Sequence, residues 1–434
     1  MKSYFAILKR VTPARYLLLL VLCILAVYVK TFFNDFQDAW DDQNVILACP
    51  YLGNWSSLVS MFTQPYAEQY SPVNTLFLNI IYSLFGAKPL AFHAFSLLLH
   101  CINSIIVFKV AQMILNKTGY REKQATVYSL IVASLFALHP MQVESVAWAS
   151  ASKIPLYSLF TLCGLSGWQK YLNNGKLVNY ILTIACMILA CGTKEQAVVF
   201  PFLLLLWDWL NNRKLPDIDL WLEKLPFFII ALGFGFITMQ LQTGAAWVLP
   251  YSLWNRLLFV SISFVEYIFK AIIPVNLSYF YPFPMEPGKH VPPLLWMYPL
   301  VFAIILWWGI ESLRKGRKLA FFGLLFFTIN LLLSIHIIPL SRQFIIADRY
   351  IYLSIIGLVL VGIDFWQLYI EPRKAWRKAY MVTICMLVCY YTIYSFIRVG
   401  VWKDSDTLKK ITNKEAIYNT IKEGTVVQTS QQSM

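Results

Sequence analysis

The chain has 434 residues, of which 59% are hydrophobic and 13% charged, and it carries a formal net charge of +14. A soluble protein of this size carries roughly 25% charged residues, so the composition excludes that class. The excess positive charge falls in short Lys/Arg clusters between apolar runs, which marks the cytoplasmic loops of a polytopic membrane protein and excludes a nucleic-acid binder.

Apolar runs of roughly 16 to 25 residues repeat along the chain and are long enough to span lipid. Backbone groups in lipid must be satisfied within the segment, so these runs are expected to be helices, giving an all-α polytopic fold. A membrane β-barrel would instead show alternating segments of about ten residues. Aromatic residues make up 16% of the chain, which suits interfacial belts. Of the cysteines, all but Cys49 lie in apolar runs and are read as small apolar residues, not disulfide partners.

The basic N-terminus (Lys2, Lys9, Arg10, Arg15) precedes a span over Ala14–Phe33 that is too long for a signal-peptide core. It is expected to be an uncleaved first span with a cytoplasmic N-terminus. The loop that follows, from about Asn34 to Val73, has no Lys or Arg and is assigned outside. It gathers Asp35, Asp38, Asp41 and Asp42, a concentration of acid in an otherwise basic chain. Asp41-Asp42, flanked by Trp40, could act as a general base at the membrane surface. Asp35 and Asp38 are expected to be solvated.

Asn74–Phe85 is too short to span and is expected to lie along the membrane surface. Leu90–Leu115 is the next span, with His93 and His100, and Lys117, Arg121 and Lys123 mark the cytoplasm. The chain returns outward over Ala125–His139 and stops at His139-Pro140. The next helix carries Glu144 and Trp148 at its outer end and Lys153 further in. An intramembrane Lys is a candidate functional group, or else a partner for Glu144. Val178–Gly192 and Glu195–Trp209 flank a tight outside turn, Thr193-Lys194-Glu195. Of the three apolar runs Leu225–Gln242, Trp254–Ile273 and Pro293–Ile310, one is expected not to cross, because both flanks are basic. Leu319–His336 runs outward, Asp348–Phe365 inward and Tyr380–Ile397 outward. The total is about eleven crossings, with a C-terminal tail outside that reads as a short helix and a disordered end.

This topology gathers Asp41, Asp42, His139, Glu144, Lys194, Glu195, Asp348, Arg349 and His93 at the outer face. Carboxylates for proton removal and cations for a phosphate are what moving a sugar from a lipid phosphate requires. The apolar bundle gives the lipid tail a place to lie. Displacement in one step would invert the anomeric centre. A flippase for a polyprenyl-linked sugar is the alternative, but it would distribute polar groups through the bilayer. Asp41, Asp42 and Glu144 could also cage a divalent cation, Mg or Mn, although no spacing demands one.

Several segments together resemble one family. They are Trp40-Asp41-Asp42, Tyr70-Ser71-Pro72-Val73, the Phe92–His100 run, His139-Pro140-Met141-Gln142-Val143-Glu144-Ser145-Val146-Ala147-Trp148, Thr193-Lys194-Glu195-Gln196, Asn276-Leu277-Ser278 with Tyr281-Pro282, and Ala347-Asp348-Arg349-Tyr350-Ile351-Tyr352-Leu353. They are similar to the transmembrane-and-TPR O-mannosyltransferases and their bacterial relatives, of the GT-C class. The resemblance implies a GT-C-like catalytic domain over residues 1–400, with the first outside loop at about 34–89 and a short outside tail at 401–434. It implies a polyprenyl-phosphate sugar donor and a protein acceptor, or a lipid-linked glycan as acceptor. It implies that the first-loop acid, Asp42 or Asp41, is the catalytic base. His93, His139, Glu144, Lys153, Lys194, Glu195, Asp348 and Arg349 are then candidates for holding the donor. The chain departs from the family at Ser71, where Arg is usual, and at Ser152-Lys153, where an Arg-Lys pair is usual. The usual C-terminal TPR array is missing from this sequence, which points to a bacterial inner membrane with the site facing the periplasm.

Overall fold

The structure is a computed structural model that describes residues 12–243, 251–288, 291–337 and 344–411. Among the described residues it is helical throughout, with no strand and only isolated bridges at Tyr66–Gln69 and Tyr281–Ile346. The expected end of the tail lies outside the described residues.

The helices are α1 (Pro13–Tyr28), α2 (Leu58–Thr63), α3 (Pro72–Phe85), α4 (Pro89–Lys117), α5 (Glu122–Leu138), α6 (Val143–Ala147), α7 (Lys153–Asn174) and α8 (Leu177–Thr193). They continue with α9 (Phe200–Leu210), α10 (Ile218–Thr243), α11 (Leu253–Ile272), α12 (Met297–Arg314), α13 (Lys318–Leu331), α14 (Ile355–Phe365) and α15 (Lys374–Val399). Five helices among the described residues are long and apolar enough to cross a membrane, or six if α5 and the bent segment after it form one span. Leu and Phe side chains on several of them face outward, as on Leu232 and Phe236 of α10 and Leu300 and Trp307 of α12. Outward apolar surface is what a lipid-facing helix presents.

The inward faces are more polar than a soluble core. Helix α4 buries Ser96, His100, Asn103 and Ser104 on one side. Asn103 Nδ2 donates to the Tyr352 hydroxyl (3.2 Å), which donates to His100 Nδ1 (2.8 Å), and His100 Nε2 donates to the Ala137 carbonyl (3.0 Å). In lipid such groups find no water, so interhelical hydrogen bonds fix which faces meet. Close backbone approach does the same for α13 and α14. A Cβ on Gly357 would meet the Gly323 carbonyl and lie 2.7 Å from the Phe327 nitrogen, so only glycine permits this contact.

Helix α5 ends where sequence reasoning placed the break. His139 is extended (φ −72°, ψ 133°), and the chain turns by 53° into Pro140–Ala147. The stretch from His139 to Ser152 is broken into a 3-10 turn, α6 and a second 3-10 turn, and every residue in it is buried. Non-helical backbone of this kind survives at membrane depth only where protein surrounds it.

Candidate active site

The buried broken segment 139–153 is the frame on which the other signature stretches dock. His139 caps it. Its Nδ1 accepts from the Met141 N–H (3.2 Å), so the proton sits on Nε2, which donates to the Ala271 carbonyl of α11 (2.9 Å). Both ring nitrogens are thereby used, and His139 is a helix-ending residue, not a free phosphate ligand. His100 is structural for the same reason. His93 is buried near the N-terminal end of α4, beside Asp35.

Glu144, on α6, reaches the Asp348–Leu353 stretch. It accepts from the Arg349 backbone N–H (3.0 Å) and from the Arg349 guanidinium. Gln142 Nε2 donates to the Tyr352 carbonyl (3.2 Å). These bonds tie the HPxxxESVAW-like and ADRYxYL-like segments into one unit. The Arg349 guanidinium also lies over the rings of Trp148 (5.3 Å), Phe344 (5.0 Å) and Tyr350 (5.0 Å), favourable cation–π distances. Lys153 does not pair with Glu144. Its ammonium donates to Gln69 Oε1 of the first loop (2.7 Å) and has no carboxylate within salt-bridge distance among the described residues.

Asp348 faces away from this cluster. It is fully buried, accepts from the Tyr281 hydroxyl (2.8 Å) and pairs with Arg398 of α15 (3.0 Å). Arg398 also donates to the Leu277 carbonyl. Asp348 therefore joins the last helix to the Asn276–Pro282 signature.

The two acids of the first loop are treated very differently. Asp42 is fully buried. Its Oδ2 accepts from the Gln37 N–H (2.8 Å), and its Oδ1 accepts from the Ser150 N–H (2.8 Å) and the Ser150 hydroxyl. Burial pushes its pKa up to about 6, while the Ser150 and Gln37 donors hold it back and the neighbouring Asp41 adds a little. Asp41 is exposed. Its charge acts on both Lys153 and Arg349, and Lys153 in turn feels Lys194 and Glu195. Lys194, at the end of α8, lies 3.1 Å from Glu195 and 5.7 Å from the Tyr350 ring.

The structure thus gathers Asp41, Lys153, Lys194, Glu195 and Arg349, with Glu144 beneath them. Asp42, His139 and Asp348 stand in the supporting shell. The carboxylates Asp41, Asp42 and Glu144 do not converge. Among the described residues no group of three or more His, Cys, Asp or Glu is placed to hold a metal ion. A small cleft of mixed lining opens beside Lys153, where Gln64, Gln69, Ser71, Asn74 and Thr75 face Val45, Cys49 and Met61. Ser150, Gln69 and Arg398 escaped sequence reasoning, because nothing near them in sequence marks their distant partners.

No protein-family model matches the chain. Among curated proteins, the Homo sapiens protein O-mannosyl-transferase TMTC3 is 22% identical over 90% of this chain and 46% of its own length. A Caenorhabditis elegans protein O-mannosyl-transferase is 22% identical over 90% of this chain and 56% of its own. The Mus musculus TMTC3 aligns over a shorter stretch, 26% identical across 42% of this chain and 20% of its own length. The chain spans about half the length of the two relatives that it matches almost throughout. At 22% identity over nine-tenths of its length, the chain is a distant homologue of the protein O-mannosyl-transferases, a group of enzymes.

Proposed function

We propose that the protein moves a sugar, mannose or a similar hexose, from a polyprenyl phosphate to a hydroxyl of a protein acceptor, with inversion. The relatives are protein O-mannosyl-transferases, which supports mannose and a protein acceptor. The observation that carries the reading is the split within the acid pair. Asp42 is buried with both oxygens occupied, whereas Asp41 is exposed and its charge acts on Lys153 and Arg349.

In this reading Asp41 is the base. The acceptor oxygen attacks the anomeric carbon from the face opposite the phosphate. The bond from that carbon to the phosphate oxygen breaks, and its electron pair stays on the phosphate. The hydroxyl proton passes to Asp41. Among the described residues Lys153 has no carboxylate at hydrogen-bond distance, so it is the cation best able to meet the phosphate. Lys194 and Arg349 add positive field, and Glu195 and Glu144 hold their heads in place. The cleft beside Lys153 is lined by the side chains of Gln64, Gln69, Ser71, Asn74 and Thr75.

The reading takes residues 1–400 as a GT-C-like domain of about eleven crossings, with the site on the outer face. The Lys/Arg clusters after α4, α9, α12 and α14 set that orientation, which is periplasmic if the membrane is a bacterial inner membrane.

The test is transfer from a labelled polyprenyl-phosphate mannose to a Ser/Thr peptide by purified protein, with the product anomer read by NMR. Inverted product, lost in Asp41→Asn, is expected. A retained anomer would overturn the one-step mechanism. Movement of intact donor across vesicles without transfer would overturn the enzyme reading.

A further inference from the structure

We infer that residues 399–408, beyond the outer end of α15, form a strut that sets the position of the Asp41–Asp42 loop, with Ser405 as its positioning residue. The inference rests on the reading of Asp41 as base, and it assigns to the segment that follows α15 a part in the same reaction.

Two chain segments that are distant in sequence lie side by side here. Asn34 Nδ2 donates to the Val399 carbonyl (3.3 Å), and the Asp35 N–H to the Lys403 carbonyl (2.7 Å). Gln37 Nε2 donates to the Trp402 carbonyl (2.9 Å). Ser405 Oγ accepts from the Ala39 N–H (3.2 Å) and donates to Asp38 Oδ1 (2.6 Å). The loop is therefore gripped from residue 34 to residue 39, and the acid pair follows immediately. Ser405 is the last grip before the acids. It is itself buried, although Asp38 is exposed.

Trp402 carries the strut into the rest of the site. It is 1% exposed, stacks on Trp148 at 5.4 Å, and meets the edge of Tyr279 at 6.5 Å, which in turn meets Trp40 at 5.3 Å. Trp148 begins the turn that supplies Ser150 to Asp42, and Trp40 directly precedes Asp41. One indole thus touches the supports on both sides of the acid pair. Buried Leu408 anchors the far end of the strut.

Residues 34–37 have other restraints, since Phe36 is buried against Phe92 and Asp35 lies beside His93, whereas among the described residues the tertiary hydrogen bonds of Asp38 and Ala39 go to Ser405. The Gln37 N–H goes to Asp42 and the Phe36 N–H to Asp35, both within the loop. Loss of the Ser405 hydroxyl releases the Ala39 N–H and the Asp38 carboxylate together. A base displaced by about 1 Å loses up to a hundredfold in rate while the donor still binds.

The test uses the full chain in nanodiscs, comparing wild type, Ser405→Ala, Ser405→Thr and Asp38→Ala, with Asp41→Asn as reference. Hydrogen exchange over residues 34–42 reports the loop directly, and mannosyl transfer reports kcat and donor KM. The strut predicts faster exchange in 34–42 for Ser405→Ala and Asp38→Ala, with 139–153 unchanged. It also predicts a kcat about tenfold lower at constant KM for both, and restoration of both readouts in Ser405→Thr, which keeps the hydroxyl. Wild-type exchange and kcat in Ser405→Ala would overturn the strut. So would slow exchange with a raised KM, which would place Ser405 at the donor. Full activity in Asp41→Asn would overturn the base assignment alone, and the exchange data would still judge the strut.

Discussion

Replacing the two adjacent acids one at a time separates structural work from chemical work. Asp42 accepts from two backbone N–H groups and one hydroxyl, all buried. Asp42→Ala leaves the N–H groups of Gln37 and Ser150 without partners. Each costs about 1–3 kcal/mol, so the loss is roughly 2–6 kcal/mol. Asp42→Asn keeps one acceptor oxygen and turns an NH2 toward the other donor, which costs about 1–3 kcal/mol. Asp41 is exposed, so Asp41→Asn is expected to leave the unfolding midpoint where it is. Its loss removes the proposed base, and transfer should fall by about 10²–10⁴-fold. Thermal unfolding in detergent by intrinsic fluorescence gives the stabilities, and transfer from labelled polyprenyl-phosphate mannose gives the rates. The reasoning fails if Asp42→Asn is as stable as wild type and inactive while Asp41→Asn turns over normally. That outcome would make Asp42 the base, its buried bonds notwithstanding.

Other outcomes follow from the same geometry. Asp42 has a folded pKa of about 6 against 3.8 for the free side chain, and a raised pKa stabilises the fold below the free value and stops doing so as pH rises through the folded value. The stability of wild type relative to Asp42→Asn should therefore shrink by about 1 kcal/mol between pH 5 and pH 7, read as unfolding midpoints, and a gap that widens would contradict the burial argument. Lys153→Met should raise the donor KM by about tenfold or more, in a donor titration, because it removes the cation that no carboxylate among the described residues holds; an unchanged KM would remove Lys153 from the phosphate site. Gly357→Ala should lower stability by about 1–3 kcal/mol with no effect on donor KM, since its methyl would press on the Gly323 carbonyl where α13 crosses α14; a wild-type midpoint would mean that these helices slide apart without cost.

Much of the architecture was legible because lipid imposes it. Apolar length, basic clusters and the His139-Pro140 break each follow from what the backbone needs in a bilayer, and the structure breaks α5 at His139. The short Asn74–Phe85 run is likewise a helix, α3. The site was legible as a set of residues but not as a set of roles. Glu144 and Lys153 are near in sequence, which suggested a pair. Instead Glu144 holds Arg349, 205 residues away, and Lys153 holds Gln69, 84 residues away. Asp41 and Asp42 have the same chemistry and the same neighbours in sequence. What separates them is Ser150, 108 residues on, and no local pattern announces that partner. Asp38, expected to be solvated, is exposed but still bound by Ser405. His139 carries a catalytic-looking side chain and spends both nitrogens on the backbone.

The grip between Gln37 and Trp402 joins positions 365 residues apart, almost the full reach of the chain. A polypeptide is made from its N-terminus, and segments organise as they emerge. The acidic loop therefore leaves the ribosome long before its clamp does. Asp42 can meet Ser150 while synthesis is still under way, whereas the hold on residues 34–39 must wait until α15 has been inserted and the chain beyond it delivered. A nascent chain with a formed cation cluster would still lack a fixed base, so the proposed chemistry would wait until the segment beyond α15 has been made.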